Sequence, residues 1–488
     1  MTGEARPGDS MIDRRTMLRG LFAAGALAAA PGRLWATAAP RRVVVVGAGL
    51  AGLAAALELR QGGVEALVLE SAGYAGGRIR TLRDFADGLT AEAGGDAIGG
   101  TYRTVLGLVR EFGLSVVPSE GAAAGREADF LLDLNGERQR LGGLRRDPSG
   151  WPVDLSEEER PKAPFGLLFH YLGPLAREMG RPEALFEPRW LAYDQMSLED
   201  LLRRQGASPA ALRMIEVPLN YNRLDSVSAL SVLRDLARRM ASTSVFRIAG
   251  GNDALPLAMA ARLGSQVHYG SRLRRIEREE PHLKLAVERH GRTSEVLADA
   301  VIVTLPFTAL RRVEIEPALP EPWRTAVAEL PYTQVTKTYV QARRRFWRDE
   351  LGLAAVWSDG PFERLFDLTG APEGDRGLLL SWINGEGALR ASAETPEVHE
   401  RKVLDYVAGV FPEHADLLER AVAVPWGQTY CRGAYAHFAP GQVAQFGAQL
   451  GEPVGNLFFA GEHTEPVAPG MEGALVSGQR AARQVLTS

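Results

Sequence analysis

Four consecutive valines, Val43–Val46, run directly into Gly47-Ala48-Gly49-Leu50-Ala51-Gly52, and this junction restricts the fold more than any other stretch. A β-branched run with no polar alternation reads as a strand buried on both faces. Gly47, Gly49 and Gly52 follow at G-x-G-x-x-G spacing, with the small Ala51 in the same turn, and the segment Leu53–Gln61 has the character of a helix. A second apolar strand, Ala66–Leu69, ends on an acid, Glu70, at about the ~20-residue distance of a dinucleotide-binding unit. The glycines permit a tight turn and close approach of backbone to a pyrophosphate. The helix start favours negative charge, and Glu70 can accept hydrogen bonds from ribose hydroxyls. A βαβ unit that binds nothing would need neither the glycine spacing nor the acid.

Gly76-Gly77-Arg78 stand just beyond Glu70 and bring a guanidinium towards the same phosphates, which suits a permanently held cofactor. The chain contains no second strand-linked G-x-G-x-x-G, so a separate nicotinamide site is not expected and electrons enter from the substrate itself. At the carboxyl end, Leu457–Ala460 reads as a short buried strand, Glu462 lies in the following loop, and a last helix begins near Met471 with another anion-favouring terminus.

At 488 residues the chain exceeds what one growing core supports, so at least two lobes are expected. A net charge of −4 from 56 basic and 60 acidic residues gives no electrostatic reason to expect nucleic acid as a partner. One cysteine, Cys431, excludes an intrachain disulfide and a thiolate metal cluster. The start of the chain differs from the rest. Arg14 and Arg15 precede a short apolar run and the small residues Ala36–Ala38, the order of an export signal. Paired arginines followed by Met17 and Leu18 resemble a twin-arginine signal. The apolar run is about half of the ~20 residues that cross a bilayer, so no permanent anchor is expected.

Lys337 poses the remaining puzzle. In the strand-like stretch Gln334–Ala342 it shares a side with Val335 and Tyr339, while Thr336, Thr338 and Val340 point the other way. An ammonium group there is either a side chain that reaches out to solvent or a functional group.

Taken together, the glycine turn, the Gly-Gly-Arg, the segment Phe459–Thr464 and the helix from Met471 resemble the flavin-containing amine oxidase family, which includes monoamine, polyamine, nicotine and L-amino acid oxidases. The likeness extends from about Arg41 to Leu486. It implies an α/β fold with a Rossmann-like FAD-binding domain and a second, α+β substrate-binding domain. The expected boundaries are 1–38 for the signal, 39–115, 243–325 and 452–488 for the FAD domain, and 116–242 and 326–451 for the substrate domain. Gly47, Gly49, Ala51 and Gly52 would lie under the FAD pyrophosphate, Glu70 on the adenosine ribose, and Gly77 and Arg78 beside the phosphates. Gly94 would lie near the flavin, and the main chain of Leu273 against adenine. Glu462 would face the ribityl and phosphate groups, and the N–H of Met471 the pyrimidine edge of the ring.

By the same resemblance, Lys337, nine residues before Phe346, holds a water beside flavin N5, Tyr435 flanks the substrate amine, and Trp426 lies near the same ring. Ala434 stands where mitochondrial monoamine oxidases tether FAD through cysteine, so noncovalent flavin is expected. Gly470 replaces a second cage tyrosine and leaves that side open. Ala97 replaces the arginine that L-amino acid oxidases use for a carboxylate, with Arg103 or Tyr102 as stand-ins. The implied reaction is oxidation of a primary or secondary amine to an imine by hydride transfer to N5. The acceptor is oxygen, giving hydrogen peroxide, or an exported cytochrome or cupredoxin. Other partners are the twin-arginine export machinery, a periplasmic or secreted location follows, and a homodimer is compatible. The alternatives are an L-amino acid oxidase, a desaturase or porphyrinogen-type oxidase, and a flavoprotein electron relay without turnover.

Overall fold

The computed structural model describes residues 42–119, 129–242, 244–369 and 374–488. The export signal expected at 1–38 lies outside them. Val43–Val46 is the centre of a five-stranded parallel sheet, in the order Val267–His268, Ala66–Leu69, Val43–Val46, Ala300–Val303, Leu457–Phe459. All four valines are buried because both faces are covered. Val43 and Val45 join a core with the helices Leu50–Gln61 and Met471–Thr487, and Val44 and Val46 join a second core that reaches into the helical region. The first and last helices approach so closely that a Cβ on Gly478 would lie 2.1 Å from the carbonyl oxygen of Ala51.

The first helix begins at Leu50, three residues earlier than its apolar run suggests, so that Gly52 lies inside it. Glycine is a poor helix former, but here the helix must leave the turn at once. A Cβ on Gly52 would sit 1.9 Å from the Gly47 carbonyl oxygen, which no other residue could accept.

A second, seven-stranded sheet holds Lys337. Its order is Leu418–Pro425, Val335–Ala342, Gly377–Asn384, Arg364–Asp367, Leu353–Ser358, Asp129–Leu134, Glu137–Arg140. Val335–Ala342 is paired antiparallel on both edges, and every one of its residues is buried. The alternation read from sequence is present, but neither face meets water. Tyr339, on the lysine side, packs with Leu82, Phe85 and Leu89, whereas Val340 packs with Val403 and Val407 of the helix Pro396–Val410. The stretch from Leu167 to Met240 is helical, and one of its helices, Leu198–Arg204, starts with a reciprocal Ser197–Asp200 capping box. Among the described residues no helix is long and apolar enough to cross a membrane.

Candidate active site

A cavity of about 740 Å³ opens between the glycine turn and the lysine strand. Its walls include Gly47, Gly49, Ala51, Glu70, Gly77, Arg78, Gly94, Leu273, Lys337, Trp426, Tyr435, Glu462 and Met471, gathered from stretches distant in sequence. Among the residues expected to hold the cofactor or the amine, Gly52 is the one not on its surface; it lies behind the turn that the others form.

Glu70 is held where the second strand ends. The Ala48 N–H donates to its Oε2 at 2.8 Å, and the Ala72 N–H to its Oε1 at 2.7 Å. With only 4% of its surface exposed, burial pushes its carboxyl above the usual range, and these main-chain bonds pull part of the way back. Arg78 donates from Nη1 to Glu462 Oε1 at 2.6 Å and to the Ala434 carbonyl at 3.0 Å. Burial opposes its charge, but the neighbouring Glu462, Cys431 and Tyr332 together outweigh that and hold the guanidinium above its ordinary value. Glu462 Oε1 also accepts from the Ala436 N–H, whereas Glu462 Oε2 is buried with no donor among the described residues.

An unpaired buried carboxylate oxygen carries its full desolvation cost, so the cavity calls for a ligand rich in hydroxyl donors. That requirement, the close-packed glycine turn and the basic Arg78 fit a dinucleotide such as FAD. Leu273 stands where its strand's register with His282–Arg289 breaks, and Met471 opens the final helix. Trp426 donates its indole N–H to the Ala93 carbonyl at 2.8 Å, which fixes its ring.

Lys337 Nζ is surrounded by acceptors: the Glu92 carbonyl at 3.1 Å, the Gly94 carbonyl at 2.9 Å and Asp96 Oδ2 at 3.0 Å. The ring of Trp382, its register partner on the adjoining strand, lies 4.4 Å away. Only 3% of the lysine side chain is exposed, so it does not reach solvent. An ammonium has three N–H bonds, and all three are directed at protein oxygens.

Tyr435 donates its hydroxyl to the Asn220 carbonyl at 2.8 Å, and burial raises its pKa, which keeps the phenol neutral. Cys431 also lines the cavity, and burial raises its thiol pKa. On the side left open by Gly470, a Cβ would meet the Tyr102 hydroxyl at 3.4 Å. That hydroxyl accepts from Arg238 Nη1 at 2.7 Å, and Arg238 Nε is buried without a partner among the described residues. Tyr102 and Ala97 line the cavity, whereas Arg103 is exposed and does not. The helix Ala229–Met240 contributes Arg234, Asp235, Arg238 and Arg239 to the wall. Asp235 accepts from the Tyr221 hydroxyl and from Arg234; burial opposes its charge, but Arg234 and Arg238 hold its carboxyl below the usual range.

Asp96, Trp382 and the arginines of this helix were not singled out from the sequence. Arg234 and Arg238 carry an i, i+4 signal that marks one face of a helix, but not what that face meets. Asp96 carries only its nearness to Gly94 and Gly95.

Comparison with known proteins gives concordant results. A family model described as flavin containing amine oxidoreductase matches residues 50–486. The L-amino-acid oxidase of Demansia vestigiata is 27% identical over 458 residues, covering 92% of this chain and 87% of that protein. That of Gloydius blomhoffii is 27% identical over 460 residues, covering 93% and 90%. Wild-type putrescine oxidase bound to putrescine aligns with a TM-score of 0.75 at 25% identity, covering 92% of this chain and 99% of that one. Cyclohexylamine oxidase from Brevibacterium oxydans gives 0.73 at 24% identity, covering 92% and 99%, a likeness of fold.

Proposed function

Because the chain belongs to the flavin-containing amine oxidoreductase family, we propose that it oxidises a primary or secondary amine to an imine, which water converts to an aldehyde or ketone plus ammonia or a smaller amine. It is an oxidoreductase acting on amine donors, and its cofactor is FAD. The observation that supports the reading best is the single cavity shared by Glu70, Arg78 and Glu462 at one end and Lys337 and Tyr435 at the other.

Bound FAD would supply a two-electron acceptor for the hydride equivalent leaving the amine's α-carbon, with oxygen, giving hydrogen peroxide, or an exported cytochrome or cupredoxin as the final acceptor. The protein's part is binding and positioning. Gly47, Gly49, Glu70, Arg78 and Glu462 hold the dinucleotide through turn, hydroxyl and charge contacts. Its attachment is noncovalent, since Ala434 offers no thiol. Tyr435 forms an aromatic wall that receives a cationic nitrogen and, by excluding water, eases its loss of a proton to the neutral amine from which the electron pair leaves. The FAD-binding domain comprises 39–115, 243–325 and 452–488, the substrate domain 116–242 and 326–451, and twin-arginine export carries the protein to a periplasmic or secreted location.

A second reading, oxidation of an L-amino acid, is favoured by one feature: Arg238, whose Nε has no partner among the described residues, and Tyr102 stand beside Gly470, where an anionic substituent could be received. Anaerobic mixing with a panel of primary amines, secondary amines and α-amino acids tests both readings. Loss of the oxidised-flavin absorbance with amines supports the first, with amino acids the second, and with neither contradicts both.

A further inference from the structure

We propose that Arg239 makes an anion-binding subsite at the mouth of the cavity, so that the preferred amine carries a carboxylate or similar anion at the far end of an apolar spacer. The inference rests on the amine-oxidation reading above and names the class of amine. It begins with the balance of charge. At the substrate end the cavity wall carries Lys337 and, from the helix Ala229–Met240, Arg234, Arg238 and Arg239, against the two carboxylates Asp96 and Asp235. Asp96 is paired with Lys337, and Asp235 with Arg234 at 3.0 Å and Arg238 at 3.9 Å. Arg239 stands four residues after Asp235, a spacing that allows a pair on a helix, yet no carboxylate among the described residues lies within salt-bridge distance of it. The wall therefore carries a surplus of positive charge, and Arg239 is where it is uncompensated.

The three arginines of this helix differ in what surrounds them. Arg234 is buried and donates to the Pro466 carbonyl at 2.7 Å, and Arg238 is half-buried and donates to the Tyr102 hydroxyl. Both hold the wall together. Arg239 is exposed, so a molecule entering the cavity from solvent meets it first. Its charge also reaches inward: burial raises the phenols of Tyr221 and Tyr435, and Arg239 is one of the charges that act against that rise. A basic residue in the last turn of a helix suits the dipole, and Arg238 and Arg239 both stand there. The dipole gives no reason for the second of them to stand on a cavity wall.

The surface near this cation is apolar. Phe165, Leu168 and Phe169 line the cavity at the start of the helix Leu167–Met179, which packs against Ala229–Met240, and Ile215 and Leu219 line it from the segment between. Phe165 is 38% exposed and Phe169 42%, so both rings offer surface that methylenes of a ligand can cover. A diamine brings its second ammonium to a mouth of like charge. An amine that ends in an anion covers the same apolar surface and meets an opposite charge, which gives the site both an attractive and a repulsive element.

The test is anaerobic flavin reduction in purified holoenzyme by matched pairs of linear amines, one ending in a carboxylate and the other in a second ammonium, with spacers of about two to six methylenes. The readout is the ratio of half-saturating concentrations within a pair. For the best spacer the wild type should favour the carboxylate by about tenfold at an ionic strength of about 0.01 M, and the preference should shrink by several-fold at about 1 M, where exposed charges are screened. Arg239→Lys should keep the preference, Arg239→Gln should reduce it by about threefold or more, and Arg239→Glu should reduce it further or reverse it. A loss of packing alone lowers both members of a pair and leaves the ratio where it was. A wild-type ratio that favours neither member or favours the diamine, a ratio insensitive to salt, or a ratio unchanged in both Arg239→Gln and Arg239→Glu overturns the inference. So does a wild type that other amines bleach but no pair reduces. If no amine of any kind bleaches the wild-type flavin, the amine-oxidation reading fails first; a wild type that reacts with the pairs without the preference defeats the inference alone.

Discussion

Arg78 and Glu462 lie 384 residues apart in the chain and meet at 2.6 Å between Nη1 and Oε1, with the carboxylate side chain 6% exposed. The pair joins the segment after the first βαβ unit to the loop before the last helix, so the cavity cannot form until both ends of the chain are in place. Removing one partner leaves the other's charge buried. Glu462→Ala should therefore lower stability by about 3 kcal/mol and release FAD, whereas Glu462→Gln, which keeps an acceptor, should do less of both. Urea denaturation and the FAD-to-protein absorbance ratio measure the two effects.

Gly52→Ala isolates the glycine turn. The added methyl would lie 1.9 Å from the Gly47 carbonyl oxygen, main-chain atom against side chain, with no flexible group to move aside. The turn must open, and a weakening of FAD binding by about tenfold or more is expected, with a loss of about 1–3 kcal/mol from the fold. Equilibrium dialysis of FAD against the variant, or fluorescence of the released flavin, gives the first figure.

The parts of the site that were legible in the sequence are those whose meaning is local. Val43–Val46, the three glycines and Glu70 form one continuous unit, and the order strand, turn, helix, strand, acid is readable without knowing the rest of the fold. The apolar run places the start of the first helix late because glycine is a poor helix former; the packing that demands Gly52 is invisible until Gly47 is placed. Lys337 could be recognised as anomalous, but its partners could not. Trp382 reaches it through the register of Gly377–Asn384 on Val335–Ala342, and Asp96 through a loop path after Gly94. Neither register nor loop path is written in a periodicity. The arginines of Ala229–Met240 show the same limit, since a helix face is predictable but its neighbour is not.

Stability should fall with rising pH across the weakly acidic range through Glu92. Burial pushes this carboxyl up to about 7 in the folded protein, against an ordinary value of 4.5. The folded state thus binds the proton more tightly, and the contribution is fully present below 4.5 and lost as pH rises through about 7. The size is on the order of 3 kcal/mol. His437 works in the opposite sense: burial pushes it down to about 3, so its contribution is present above 6.5 and lost as pH falls. Glu92→Gln removes only the first. The difference in urea-denaturation free energy between wild type and Glu92→Gln should shift in favour of the variant as pH goes from 4.5 to 8.

Tyr435 separates the role of a ring from that of a hydroxyl. Its hydroxyl is directed at the Asn220 carbonyl, so it is engaged in holding the ring and is not free for proton transfer. Burial raises its pKa, which removes the phenolate as a base near neutrality. Tyr435→Phe should keep the aromatic wall and cost about 1 kcal/mol of stability from the lost hydrogen bond, with the rate of flavin reduction by amine within about threefold of wild type. Tyr435→Ala removes the surface that attracts a cationic nitrogen, worth about 0.5–2 kcal/mol when desolvated, and opens the cavity to water. Its half-saturating amine concentration should rise by several-fold, and its pH profile for reduction should shift towards higher pH, because a wetter site favours the charged amine. If Tyr435→Phe were as impaired as Tyr435→Ala in stopped-flow reduction, the hydroxyl and not the ring would be the operative group.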